Sequence, residues 1–202
     1  MNASPPIQRE PANYTSLGYL RVAAAAPSLV IGDAIANAKS ILEQANNLAA
    51  EGVTLAVFPE LCLTGYSAED LFFSEALMAD TQSALQHLCA CDIPLLIVGA
   101  PWRLCDGRLI NCAVAIGNHR VLGMIPKTFL PNYSEYYEQR WFASGASVNE
   151  TEVHDALGTF HIRVDQLFRL GDALVGAEIC EDLWAPVNPG THAALALSLI
   201  HI

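Results

Sequence analysis

Between residues 19 and 100 the chain alternates short apolar runs with longer stretches whose apolar residues recur every three or four positions. That rhythm predicts strand–helix–strand units, and strands joined through helices lie parallel within one sheet. Residues 20–26 read as a buried strand. Asp33 caps a helix with Ile35, Ala38, Leu42, Ala45 and Ala49 on one face, and Gly52 ends it. Residues 53–58 form a second buried strand, followed at once by Pro59-Glu60. Residues 69–89 read as helix broken near Ser74, and residues 94–100 as a third strand. The pattern then changes. Residues 109–116 and 120–125 flank Gly117-Asn118-His119, a hairpin signal. A polar, aromatic loop occupies residues 126–142. Residues 159–164 and 173–179 are further strands, the second running into Cys180. The expected class is α/β with a mixed sheet. No repeat of solenoid period is present.

Bulk properties narrow the setting. The length, 202 residues, suits one domain with a sizeable core. Apolar side chains make up 52% and charged ones 15%, which separates the chain from disordered sequences. A net charge of −11 disfavours nucleic acid and anionic membrane as partners. No apolar run reaches the roughly 18 residues of a membrane helix. The polar segment 1–18 is expected to be extended and lacks the pattern of an export signal. The six cysteines show no framework spacing and read as reduced thiols in a cytoplasmic protein. The histidines lack ligand spacing, and Cys89-Ala90-Cys91 is too close for a zinc knuckle, so no metal is expected.

In folds of this class the chemistry gathers at the carboxyl ends of strands. Three residues stand there: Glu60, Lys127 and Cys180. A thiol is mostly protonated at neutral pH, so a nucleophilic cysteine needs a base or a nearby cation. The only histidine near Cys180 in sequence is His192, which gives a Cys–His pair no local support. A carboxylate in a water-poor pocket serves as base, and a lysine steadies the thiolate and the developing oxyanion. Composition and spacing permit this trio without selecting it.

The text around the three residues does more. It reads Val57-Phe58-Pro59-Glu60-Leu61, then Pro126-Lys127-Thr128-Phe129-Leu130-Pro131-Asn132-Tyr133, then Glu178-Ile179-Cys180-Glu181-Asp182-Leu183-Trp184. This resembles the nitrilase superfamily, which uses a Glu–Lys–Cys triad in that chain order. The segments from Leu63 to Asp70 and from Tyr136 to Arg140, and the block ending at Trp184, resemble the amidase domain of glutamine-dependent NAD synthetases. The resemblance spans residues 19–196. It implies an α-β-β-α sandwich with Glu60 as general base, Lys127 as oxyanion-stabilising cation and Cys180 as nucleophile. It implies a glutamine pocket lined by Tyr66, Tyr133 and Glu181, and a further acid at Glu135 or Glu138. The implied substrate is L-glutamine, hydrolysed through a γ-glutamyl thioester without a cofactor. Ammonia then passes to a synthetase domain that uses ATP and Mg²⁺ on deamido-NAD, within a homo-oligomer.

The same resemblance implies an amidase domain, here residues 19–202, that continues past residue 202, and no Gly-rich nucleotide loop lies in the chain. ATP and dinucleotide chemistry is therefore not assigned to these residues. An uncovered sheet edge, poor solubility and weak activity are expected of residues 1–202 by themselves. Two other readings stand beside the leading one: a free-standing amidase or carbamoyl hydrolase for another small amide, and a scaffold without activity, which an intact triad disfavours. Cys62, Cys89, Cys91, Cys105 and Cys112 read as small core hydrophobes, and Tyr136 and Tyr137 as loop packing.

Overall fold

The computed structural model describes residues 18–149, 151–196 and 200–201. Strands β1 (Val22–Ala24), β2 (Leu55–Val57) and β3 (Leu95–Arg103) run parallel. Helices α1 (Ala34–Ala50) and α2 (Glu75–Leu88) connect them. Strands β4 (Leu109–Gly117) and β5 (Arg120–Pro126) continue the sheet antiparallel. Strands β6 (Thr151–Asp155) and β7 (Gly158–Ile162) close its far side, β7 lying parallel to β5. The order is β1-β2-β3-β4-β5-β7-β6. A second sheet holds β8 (Phe168–Leu170), β9 (Ala173–Gly176) and β10 (Ile200–His201) in the order β10-β9-β8.

The strand period of two sorts the core. Ala56, Leu96, Val98, Val114 and Met124 share a cluster with Ala38, Ile41 and Ala45 of α1 and Leu85 and Leu88 of α2. Alternate residues Leu55, Leu95, Ile97, Ala113, Ala115 and Ile125 face the other way and pack on Phe168, Val175 and Ile179. Helices, large sheet and small sheet are thus successive layers, as in the expected mixed α/β sandwich.

Local signals held in most places. Asp33 accepts from the Ala36 amide at 2.9 Å, and Ser74 caps α2 where the break was expected. The stripe on α1 is shifted by about one position: Ala34, Asn37 and Ile41 are buried beside Ala38 and Ala45, whereas Ile35, Leu42 and Ala49 are only half-buried. The hairpin turns on Asn118 and His119, both at positive φ, which matches a two-residue turn. The strand expected over residues 20–26 shortens to Val22–Ala24 and is not buried, since β1 is the sheet edge and Val22 is 51% exposed. Strands β6 and β8 carried no signal. The first is a polar edge strand and the second has three residues.

Candidate active site

Glu60 stands just past β2. The turn Pro59–Leu61 lies hard against β3 at Gly99, where an added Cβ would come 2.2 Å from the Leu61 nitrogen and 2.5 Å from the Pro59 oxygen. Only a glycine in β3 lets this turn seat, and Leu61 itself adopts φ +52. Gly99→Ala should therefore destabilise the fold by about 2 kcal/mol or more, through backbone that cannot give way. It should also displace Glu60. Thermal melting and activity of the variant check both expectations.

Lys127 follows β5, and its side chain is fully buried. Its backbone N–H donates to the Asn111 carbonyl of β4 at 2.8 Å, and its carbonyl accepts from the Gly145 amide at 2.7 Å. The ammonium donates to Glu60 Oε1 and to Glu138 Oε1, each at 2.7 Å. Glu138 opens the short helix α3 (Glu138–Trp141), is 1% exposed, and also accepts from the Tyr66 hydroxyl at 2.7 Å. Burial pulls the Lys127 ammonium down, but the two carboxylates outweigh it and hold its pKa above the ordinary value. Glu138 is shifted upward, chiefly by burial, against the donors Lys127 and Tyr66.

Cys180 lies four residues beyond the end of β9 and is exposed at φ +47, a strained conformation for a side chain with a Cβ. Burial, then Glu60, Glu138 and Glu181, push its thiol up, and Lys127 pulls it down. The resting group is thus a thiol in the field of all four, and a thiol that is to act as a nucleophile needs a base near it.

Asp182 joins the halves of the site. It is 1% exposed. Its Oδ1 accepts from the Thr128 and Phe129 amides at 3.0 and 2.7 Å, and its Oδ2 from the Ile179 amide at 3.1 Å. One carboxylate thereby ties the turn of Cys180 to the segment after Lys127.

The expected residues sort clearly. Glu60, Lys127 and Cys180 come together, and Glu138 is the acid on Lys127. Glu135 is exposed, away from that network. Tyr66 reaches the site through Glu138. Tyr133, 56% exposed, donates to Glu181 Oε2 at 2.9 Å. Tyr136 packs edge-on between Tyr66 and Tyr133, whereas Tyr137 is exposed rather than packed. Cys62, Cys91 and Cys112 are buried and Cys89 is half-buried, but Cys105 is exposed because it sits in the turn between β3 and β4. Two residues escaped the sequence reading. Asn111 is a lone polar residue in the apolar run of β4, and Asp182 was quoted without a role. Their signals were a polar residue within an apolar run and an acid two positions past Cys180. Among the described residues no group of His, Cys, Asp and Glu could hold a metal ion. None of their helices is long and apolar enough to cross a membrane.

Residues 21–198 match the carbon-nitrogen hydrolase family. The glutamine-dependent NAD(+) synthetase of Mycobacterium bovis is 41% identical over 189 residues, which cover 89% of this chain and 27% of that protein. The one from Mycobacterium leprae is 39% identical, with 91% and 28% covered. The chain therefore spans little more than a quarter of these curated relatives. The crystal structure of a glutamine-dependent NAD(+) synthetase from Cytophaga hutchinsonii superposes with a TM-score of 0.74 at 31% identity, covering 80% of this chain and 28% of that one. An amidase from Nesterenkonia sp. shares the fold, with a TM-score of 0.69 at 18% identity and coverage of 90% and 63%. The family match runs through the turns that carry Glu60, Lys127 and Cys180 alike, and the chain belongs to the carbon-nitrogen hydrolase family.

Proposed function

We propose that this chain is the glutamine-hydrolysing part of a glutamine-dependent NAD synthetase. The observation that carries the chemistry is the buried Lys127 ammonium, bonded to Glu60 and Glu138 and within the field of Cys180. Glu60 takes the thiol proton as Cys180 Sγ attacks the side-chain amide carbon of L-glutamine. The oxyanion develops toward Lys127. Glu60 returns the proton to the departing nitrogen, leaving ammonia and a γ-glutamyl thioester. Water, activated by Glu60, then releases glutamate and restores the thiol. Glu138 and Tyr66 hold Lys127 in place. ATP and Mg²⁺ would serve the later amidation of deamido-NAD in a synthetase domain. No step here runs through them, and the described residues offer no metal cluster. A cytoplasmic setting and a homo-oligomer belong to the same reading.

The choice of glutamine over a simpler amide rests on Glu181. Its carboxylate stands beside Cys180, held by Tyr133, and suits the α-ammonium of an amino acid. A neutral aliphatic amide has no such charge to offer. The protein should release glutamate and ammonia one for one from L-glutamine and act poorly on propionamide. Glu181→Gln should raise KM for glutamine about tenfold or more, with a smaller effect on kcat, as expected for a lost charge-assisted contact. Preference for propionamide, or an unchanged KM, would favour a free-standing amidase instead.

A further inference from the structure

Glu60 must present one carboxylate oxygen to the thiol, and the neighbouring side chains decide which. Its Oε1 accepts from Lys127 Nζ at 2.7 Å and from Asn111 Nδ2 at 2.6 Å, and its Oε2 accepts no hydrogen bond among the described residues. We propose that Asn111 is a positioning residue for the base: with Lys127 it occupies Oε1, which leaves Oε2 to take the proton from Cys180. This rests on the reading of Glu60 as base but not on glutamine as substrate.

The surroundings of Asn111 point the same way. It is 1% exposed in β4, between Ile110 and Cys112, both fully buried. An apolar β-branched residue is the ordinary occupant of such a position. Its Oδ1 is buried without a partner, and an unmet buried acceptor is unfavourable. The carboxamide therefore does not serve stability. Its backbone carbonyl meanwhile receives the Lys127 N–H at 2.8 Å. One residue thus touches the base through its side chain and the cation through its main chain. Two donors, one in β4 and one just past β5, hold Oε1 in place, where one alone would let the carboxylate swing.

The titratable groups facing Glu60 are Lys127, Glu138, Tyr66 and Cys180. None is altered by changing Asn111. Removing the Asn111 donor frees the carboxylate to turn, so Oε2 meets the thiol less often and any process that needs Glu60 as base slows. The process to follow is alkylation of Cys180 by iodoacetamide, read by peptide mass spectrometry, with exposed Cys105 as internal control. Asn111→Leu should slow alkylation at neutral pH about tenfold and leave the melting temperature within about 2 °C. Asn111→Asp, which keeps the shape but replaces the donor by a second carboxylate beside Glu60, should slow alkylation further. In a Glu60→Gln background neither substitution should change the rate again, because residues acting through one another are not additive. An unchanged alkylation rate with a lowered melting temperature would assign Asn111 to the fold alone. An equal effect in the Glu60→Gln background would also overturn the proposal. If alkylation behaves as expected while glutamine is not hydrolysed, the substrate reading fails and this one stands.

Discussion

Replacing Cys180 by alanine should abolish glutamate release from glutamine, a fall of roughly 10⁴-fold or more, because the covalent step has no substitute. Burial pushes the thiol of Cys62 up to about 12, and Cys112 is raised for the same reason, so neither supplies a thiolate. Cys105 is exposed but belongs to the β3–β4 turn, outside the Glu60–Lys127 network. The fold should survive, since alanine meets the same backbone at φ +47 as cysteine does. Glycine meets less strain there. Cys180→Gly should be more stable than Cys180→Ala by about 1 kcal/mol and equally inactive. Steady-state glutamate release and chemical denaturation of the pair measure both effects. Glutamine turnover by either variant would remove Cys180 from the mechanism.

Lys127→Met should lower activity by about 10³-fold and stability by about 3–5 kcal/mol. The stability loss arises because the ammonium sits 2.7 Å from two carboxylates that burial holds close together. Without it, Glu60 and Glu138 face one another with no cation between them, and one must take up a proton. The activity loss has two sources. The oxyanion loses its charge partner, and the Cys180 thiol loses the one neighbour that lowers its pKa, so it rises further. A second change separates these effects. Adding Glu138→Gln removes the surplus carboxylate and should restore most of the stability while activity stays low. Activity within tenfold of the unsubstituted protein in Lys127→Met would show that the oxyanion is stabilised elsewhere.

Much of this was legible in the sequence, for identifiable reasons. The parallel units and the hairpin announce themselves through period and turn chemistry. Asp33, Ser74 and the Asn118-His119 turn act locally, and local signals survive folding. Glu60, Lys127 and Cys180 each end an apolar run, which only permits the trio; the text around them, through its resemblance to the nitrilase superfamily, singled them out. What could not be read depended on distance in the chain. Asn111 meets Glu60 across 51 positions, and Asp182 meets Phe129 across 53. Nothing in either neighbourhood encodes the other. The separation of Glu138 from Glu135 required knowing which carboxyl turns inward, and the two residues between them sit where loop becomes helix. Val22 shows the complementary error: an apolar run looks buried until the sheet is seen to end there.

Glu60 and Lys127 hang from the large sheet, and Cys180 hangs past the end of β9 in the small one. The gap between proton donor and acceptor is therefore gauged by the hydrocarbon filling that separates the two layers, with Phe168, Val175 and Ile179 on one side and Ile97 and Ile125 on the other. Shaving a methyl from that filling changes no charge and touches no substrate, yet it resets the reach of the sulfur. Such variants should slow the proposed turnover well before they melt sooner, so that the calibration of the site would lie partly in residues with no chemistry of their own.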